Sequence, residues 1–219
     1  GSNASSGNGY VAKIAITTGS LTVTGALIMA ANTRAANKVI TVSTGVITFS
    51  SDLTMASGTL SATSTGTINF NGPTTTSFIF GGADKPVFST VSGSTVNFAK
   101  GFTNVTTALT TLNAASTAVF TGTGTITPTA AITFGHVTIN TGVAATLAGN
   151  ISVAGNWTVN GTGSRSGNFA VTFNGGSAQT IGGSATIAFY NLTISNTSGD
   201  VTLTNNASFS NILNFTSGH

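Results

Sequence analysis

Val171-Thr172-Phe173-Asn174-Gly175, followed by Ile181, Ile187, Phe189 and Leu192-Thr193-Ile194-Ser195, repeats an earlier stretch of the same chain. That stretch is Ala118-Val119-Phe120-Thr121-Gly122, followed by Ile126, Ile132, Phe134 and Val137-Thr138-Ile139-Asn140. The offset is nearly constant: Phe120 matches Phe173, Ile126 matches Ile181, Ile132 matches Ile187 and Phe134 matches Phe189. The similarity continues in Leu147, Ile151, Val153, Trp157 and Val159, which align with Leu203, Ala207, Phe209, Leu213 and Phe215 at a similar offset. Upstream, Ile68-Asn69-Phe70-Asn71-Gly72 is a third copy, and Val46-Ile47-Thr48-Phe49 begins a fainter one. Internal similarity at a period of about 20 to 50 residues is the mark of repeat architectures.

Within each copy the pattern has period two. Val137-Thr138-Ile139-Asn140, Trp157-Thr158-Val159-Asn160 and Val201-Thr202-Leu203-Thr204 alternate apolar and polar residues. Such segments are strands with one buried and one solvated face. Asn-Gly, Gly-Gly, Thr-Gly and Ser-Gly pairs separate them as turns. Short strands at this spacing fit a sandwich, a barrel or a solenoid. A sandwich gives no reason for copies at half a domain's length, whereas stacked coils share one core and one pattern. The expected fold is all-β, a β-solenoid (parallel β-helix) with repeats of about 50–55 residues, each two coils or three shorter ones. A β-sandwich is the alternative.

Residues 1–219 are read as a single repetitive domain. Its N-terminal strands lie in 1–45, weaker repeats in 46–117 and the clearest repeats in 118–170 and 168–219. Ala26 to Lys38 lacks glycine and is rich in alanine. It is read as a cap, helix or long loop, over the first coil, with an irregular strand as the alternative; open coil ends expose unpaired strand edges.

Composition narrows the function. Only 4% of residues are charged, against about 25% in ordinary soluble domains. The polar surface is therefore built of Thr, Ser, Asn and Gly. Net charge is +3, and Lys13, Arg34, Lys38, Lys85, Lys100 and Arg165 are scattered. No basic run follows a phosphate backbone, so nucleic acid is not an expected partner. Cysteine is absent, which excludes a disulfide framework or a thiolate zinc site. No apolar stretch reaches the roughly 18 residues of a membrane span. The ends, Gly1-Ser2 and His219, read as cuts, and the chain is expected to be the mature or excised portion of an exported protein.

The tract Val171 to Gly183 and the following Phe189-Tyr190-Asn191-Leu192-Thr193-Ile194-Ser195-Asn196 resemble repeats of large secreted bacterial surface proteins. They are similar in style to the β-helices of filamentous haemagglutinins and autotransporter passengers. The resemblance is best over residues 118–218 and weak before residue 66. It implies an extracellular, cell-surface protein used for adhesion, spacing or fibre formation, and it carries over no functional residues.

The residues for chemistry are few. The acids are Asp52, Asp84 and Asp200, and the histidines are His136 and His219. Acid–base catalysis needs two titratable groups on one substrate, and a serine nucleophile needs a base beside it. The three acids read as turn residues, His136 as an exposed strand residue and Arg165 as a solvated loop residue. No catalytic, cofactor or metal site is expected, and the chain is read as not an enzyme. Thr121, Thr123, Thr125, Thr127 and Thr129 are the candidate surface ladder, of the kind ice-binding solenoids present when it recurs on successive coils. Asn-x-Ser/Thr acceptor motifs occur at Asn3, Asn104, Asn150, Asn156, Asn160, Asn191, Asn196, Asn206 and Asn214, a number this composition yields by chance. Trp157 shares the apolar parity of Val159 and is read as core. The expected function is a segment of a surface adhesin or stalk, or a subunit of a fibre assembling end to end through self-association. The alternative is a carbohydrate- or ice-binding solenoid module, with surface glycans as partners.

Overall fold

The computed structural model describes residues 12–29, 38–73, 76–80, 86–104, 109–129, 131–161 and 167–217. Among them there is no helix, and every strand pairing is parallel. The chain is a β-solenoid, and the antiparallel pairing of a sandwich is absent from the described strands.

The first coil is β1 (Ala12–Ile16), β2 (Ser20–Val23) and β3 (Leu27–Met29). The second is β4 (Lys38–Val42), β5 (Val46–Phe49) and β6 (Leu53–Met55). The third is β7 (Thr59–Ala62), β8 (Thr67–Phe70) and β9 (Thr76–Phe80). The fourth is β10 (Val87–Ser89), β11 (Thr95–Phe98) and β12 (Gly101–Asn104), and the fifth is β13 (Leu109–Thr111), β14 (Thr117–Phe120) and β15 (Gly124–Pro128). These strands stack into sheets A, B and C, named in the order the chain visits them.

The first face then changes. β16 (Thr133–Phe134) opens a new sheet, D, and is followed by β17 (His136–Ile139) in B and β18 (Ala145–Leu147), the last strand of C. Later coils have two strands: β19 (Ile151–Val153) with β20 (Trp157–Val159), β21 (Ala170–Phe173) with β22 (Gln179–Gly182), and β23 (Ile187–Ser195) with β24 (Val201–Leu203). β25 (Ala207–Ser217) ends sheet D. Only sheet B, with nine strands, runs the whole length.

Sheet B gives the coil repeat directly. Leu21, Ile47, Ile68, Val96, Ala118, Val137, Trp157, Ile181 and Leu203 pair in one column. The shortest step in it runs from Ala118 to Val137, and the longest from Ile68 to Val96. Coils therefore take roughly 20 to 30 residues each, a usual size for one unit of a stacked repeat. Phe70 and Phe120 are in register two coils apart. The stronger sequence match, of Phe120 with Phe173, is not a register: Phe120 lies in sheet B and Phe173 in sheet D.

The core follows from the alternation. A second inward column of sheet B reads Val23, Phe49, Phe70, Phe98, Phe120, Ile139 and Val159. Its phenylalanines stack at 5.6, 5.3 and 5.3 Å between ring centroids. Strands about 4.8 Å apart place such rings in the offset stacking range. Phe78 and Phe102 of sheet C and Phe88 of sheet A close the same interior. Trp157 is buried beside Phe189. Its indole Nε1 has no hydrogen-bond partner.

The expected cap over Ala26–Lys38 has strand at both ends, β3 and the start of β4; residues 30–37 lie outside the described residues. Asp84, Arg165 and His219 also lie outside them.

Candidate functional site

The two acids among the described residues stay apart. Asp52 is half-buried at the corner before β6, and Asp200 is exposed at the corner before β24. Seven strand steps along sheet B separate their coils, about 33 Å at the usual strand spacing, too far to act on one substrate. His136 opens β17 on the outward parity, half-buried. Its Nδ1 accepts the backbone N–H of Asn156 at 2.9 Å, so this ring nitrogen is tied to the next coil. Among the described residues, no three His, Cys, Asp or Glu gather closely enough to hold a metal ion. Among the same residues no helix is long and apolar enough to cross a membrane.

The five-threonine ladder does not form one face. Only Thr125 and Thr127 lie on a strand, β15, where both alternate with buried Ile126. Thr121 and Thr123 lie in the corner before it, and Thr129 in the bend after it. The corner hydroxyls serve coil stacking: Thr121 Oγ1 donates to the Phe98 carbonyl at 3.3 Å, and Thr123 Oγ1 accepts the Ala144 N–H at 3.2 Å. The column through Thr127 reads Ile28, Thr54, Ile79, Thr103, Thr127, which mixes isoleucine with threonine.

A longer polar array lies on sheet B. One outward column reads Ser20, Val46, Thr67, Thr95, Thr117, His136, and Thr180 and Thr202 pair further along the same face. The column two residues on reads Thr22, Thr48, Asn69, Asn97, Val119, Thr138, Thr158, Gly182. Asn97 Nδ2 donates to Asn69 Oδ1 at 2.7 Å, and Asn69 Nδ2 donates to Thr48 Oγ1 at 3.0 Å. Register shifts occur in pairings of sheets C and D, whereas the sheet B pairings run without one. The face carries neither Lys, Arg, Asp nor Glu in these columns, and the phenylalanines and the tryptophan of sheet B all point inward. The signal was present in Ile47-Thr48-Phe49, Ile68-Asn69-Phe70 and Val96-Asn97-Phe98, but uneven coil lengths hid their common register.

A buried amide pair fastens the late coils. Gln179 Nε2 donates to the carbonyls of Val153 at 2.9 Å and Gly155 at 2.6 Å, and its Oε1 accepts the Gly175 N–H at 2.9 Å. Asn196 Nδ2 donates to Gln179 Oε1 at 2.9 Å and to the Ser177 carbonyl at 2.7 Å. Its Oδ1 accepts the N–H groups of Ser198 and Gly199. The pair spans three successive coils. Asn196 is fully buried, so among the acceptor motifs this one is closed to glycosylation in the folded chain.

The last feature is the C-terminal coil end. Leu203, Phe209, Leu213 and Phe215 are exposed, and Ile194, Val201 and Phe215 line a groove there. Comparison with protein-family models, with curated proteins and with solved structures found no match.

Proposed function

We propose that this chain is a rod segment of an extracellular surface protein, a stalk or adhesin spacer without catalytic activity. One observation carries the reading: a single apolar core runs beneath sheet B from β5 to β22, and the outward columns of that sheet are mostly uncharged hydroxyls and amides. Each coil buries its inward residues only against its neighbours, so length is added without changing the design. The resemblance to secreted surface repeats supports the exterior location, as does the near absence of charge. Small-angle scattering on the monomer tests the rod. A stack of nine strands rises about 40 Å, and an elongated particle is expected; a sphere of the same mass overturns the reading. Antibodies raised against the chain are expected to label intact source cells, and labelling only after lysis overturns the location.

A second reading is favoured by the sheet B columns: a face that binds ice. Its residues recur about every 4.8 Å along the stack and about every 6.7 Å along a strand, close to oxygen-row spacings on a prism face of hexagonal ice. Carbohydrate is less favoured, because these outward columns present no Trp, Tyr or Phe ring for a sugar to stack on. Thermal hysteresis and ice shaping that Thr95→Lys abolishes, while Thr172→Lys on sheet D leaves them intact, would support ice binding. An inactive parent chain removes it, and retention on crystalline cellulose or chitin would point to glycan instead.

A further inference from the structure

We propose that Asn150 is a glycan acceptor, to which a motif-reading transferase attaches an oligosaccharide. The proposal rests on the exterior location inferred above, because Asn-x-Ser/Thr acceptors serve exported chains. Chance accounts for the number of acceptor motifs, but not for which of them the fold leaves open. The side chains of Asn150, Asn156, Asn160, Asn191 and Asn196 lie between described coils on both sides. Asn196 is fully buried, and Asn156, Asn160 and Asn191 are half-buried. Asn150 is the exposed member of this group. Asn206 and Asn214 are exposed too, but each has a neighbouring coil on one side only, so their exposure decides nothing.

The geometry at Asn150 fits substitution at nitrogen. It stands at the corner directly before β19, and its Oδ1 accepts the Ala170 N–H of the next coil at 2.8 Å. That bond holds the amide through its oxygen, which stays an acceptor when Nδ2 is substituted. Nδ2 itself makes no hydrogen bond to a described residue. Ser152, the third residue of the motif, sits on the outward parity of β19. The corner lies between sheets C and D, which sheet B does not border, so a glycan there leaves the sheet B columns clear. The donor is an oligosaccharide on a polyprenyl diphosphate. A bond forms from Nδ2 to the sugar C1, the bond from C1 to the diphosphate oxygen breaks, Nδ2 gives up one proton and the polyprenyl diphosphate leaves. A physical need points the same way. With 4% charged residues and a net charge of +3, charge repulsion does little to keep neighbouring rods apart. A bulky, hydrated saccharide does so without charge.

Mass spectrometry of the protein isolated from its source cells tests this. The peptide holding Asn150 is expected to carry saccharide at that residue, and amidase release is expected to leave aspartate in its place. Asn150→Gln and Ser152→Ala, expressed in the same cells, are each expected to lose that saccharide completely. Ser152→Ala keeps the amide that bonds Ala170, so it serves should Asn150→Gln not fold. Asn156→Gln is the control and is expected to keep the saccharide at Asn150. A bare Asn150 in the source protein overturns the proposal, whether or not Asn156, Asn160 or Asn191 is modified. Saccharide that persists at Asn150 in Ser152→Ala also overturns it, since the motif would then not direct the transfer. Antibody labelling of intact cells together with a bare Asn150 would leave the exterior location standing while the acceptor assignment fails.

Discussion

The two halves of the solenoid are held together differently. Residues 12–147 wind three strands per coil around a column of stacked phenylalanines, with Phe70 touching Phe49, Phe78, Phe88 and Phe98. Residues 151–217 wind two strands per coil, and a buried glutamine–asparagine pair ties three coils at one corner. The first half fills an interior bounded by three sheets with a column of stacked rings. The second is bounded by two sheets and adds a buried amide pair where the chain must turn. A repeat protein with nearest-neighbour coupling can therefore change its means of cohesion along one rod, provided one sheet continues through the change.

Substitutions in each half test this contrast. Phe98→Ala is expected to have the largest effect, about 3–5 kcal/mol of destabilisation in denaturant melts, because it leaves a cavity among Phe70, Phe102 and Phe120. A cost below about 1 kcal/mol would show that the ring column is not the main cohesion of the first half. Gln179→Ala is expected to cost about 2–3 kcal/mol, since buried partners lose their hydrogen bonds. Hydrogen exchange should rise around residues 153–199 and stay unchanged around Phe70. Uniform loss of protection would mean that the halves unfold as one unit and share one source of stability.

Gly183→Ala comes next, at about 1–3 kcal/mol. Gly183 has φ of 127° at the corner after β22, and an added Cβ would meet the Val159 carbonyl oxygen. Trp157→Phe is expected to be smallest, within about 1 kcal/mol of the parent in the same melts, because removing a buried N–H that has no partner offsets the lost ring volume. A larger loss would identify Trp157 as the ring anchor of the second half, the counterpart of Phe98 in the first.

Much of this design was legible in the alternation of residues. Val137, Ile139, Trp157, Val159, Val171 and Phe173 all point inward, as their parity required. Coil length was not legible. Corners absorb different numbers of residues, so the short step from Ala118 to Val137 and the long one from Ile68 to Val96 produce similar strands, and the strongest similarity joins residues on different sheets. The change from sheet A to sheet D left no mark, because the strands of both have the same pattern. The candidate ladder was misplaced for a related reason: Thr121 and Thr123 alternate in sequence but lie at a corner, where alternation no longer assigns a face. Gln179 and Asn196 were passed over because polar residues in Gly- and Ser-rich tracts read as solvated turns. Nothing local distinguishes a buried amide from an exposed one; only the carbonyls brought up by neighbouring coils do.

The parallel stacking has a mechanical consequence. Backbone hydrogen bonds between coils run along the long axis of the rod, so a pull on its two ends loads them one coil at a time, by peeling rather than by shear. A coil of about 20 to 30 residues adds about 4.8 Å to the stacked rod but about 65–100 Å when drawn out straight. A tether made this way yields stepwise under tension, lengthening more than tenfold at each released coil, and every coil still stacked is a template on which the next can rewind when the pull relaxes.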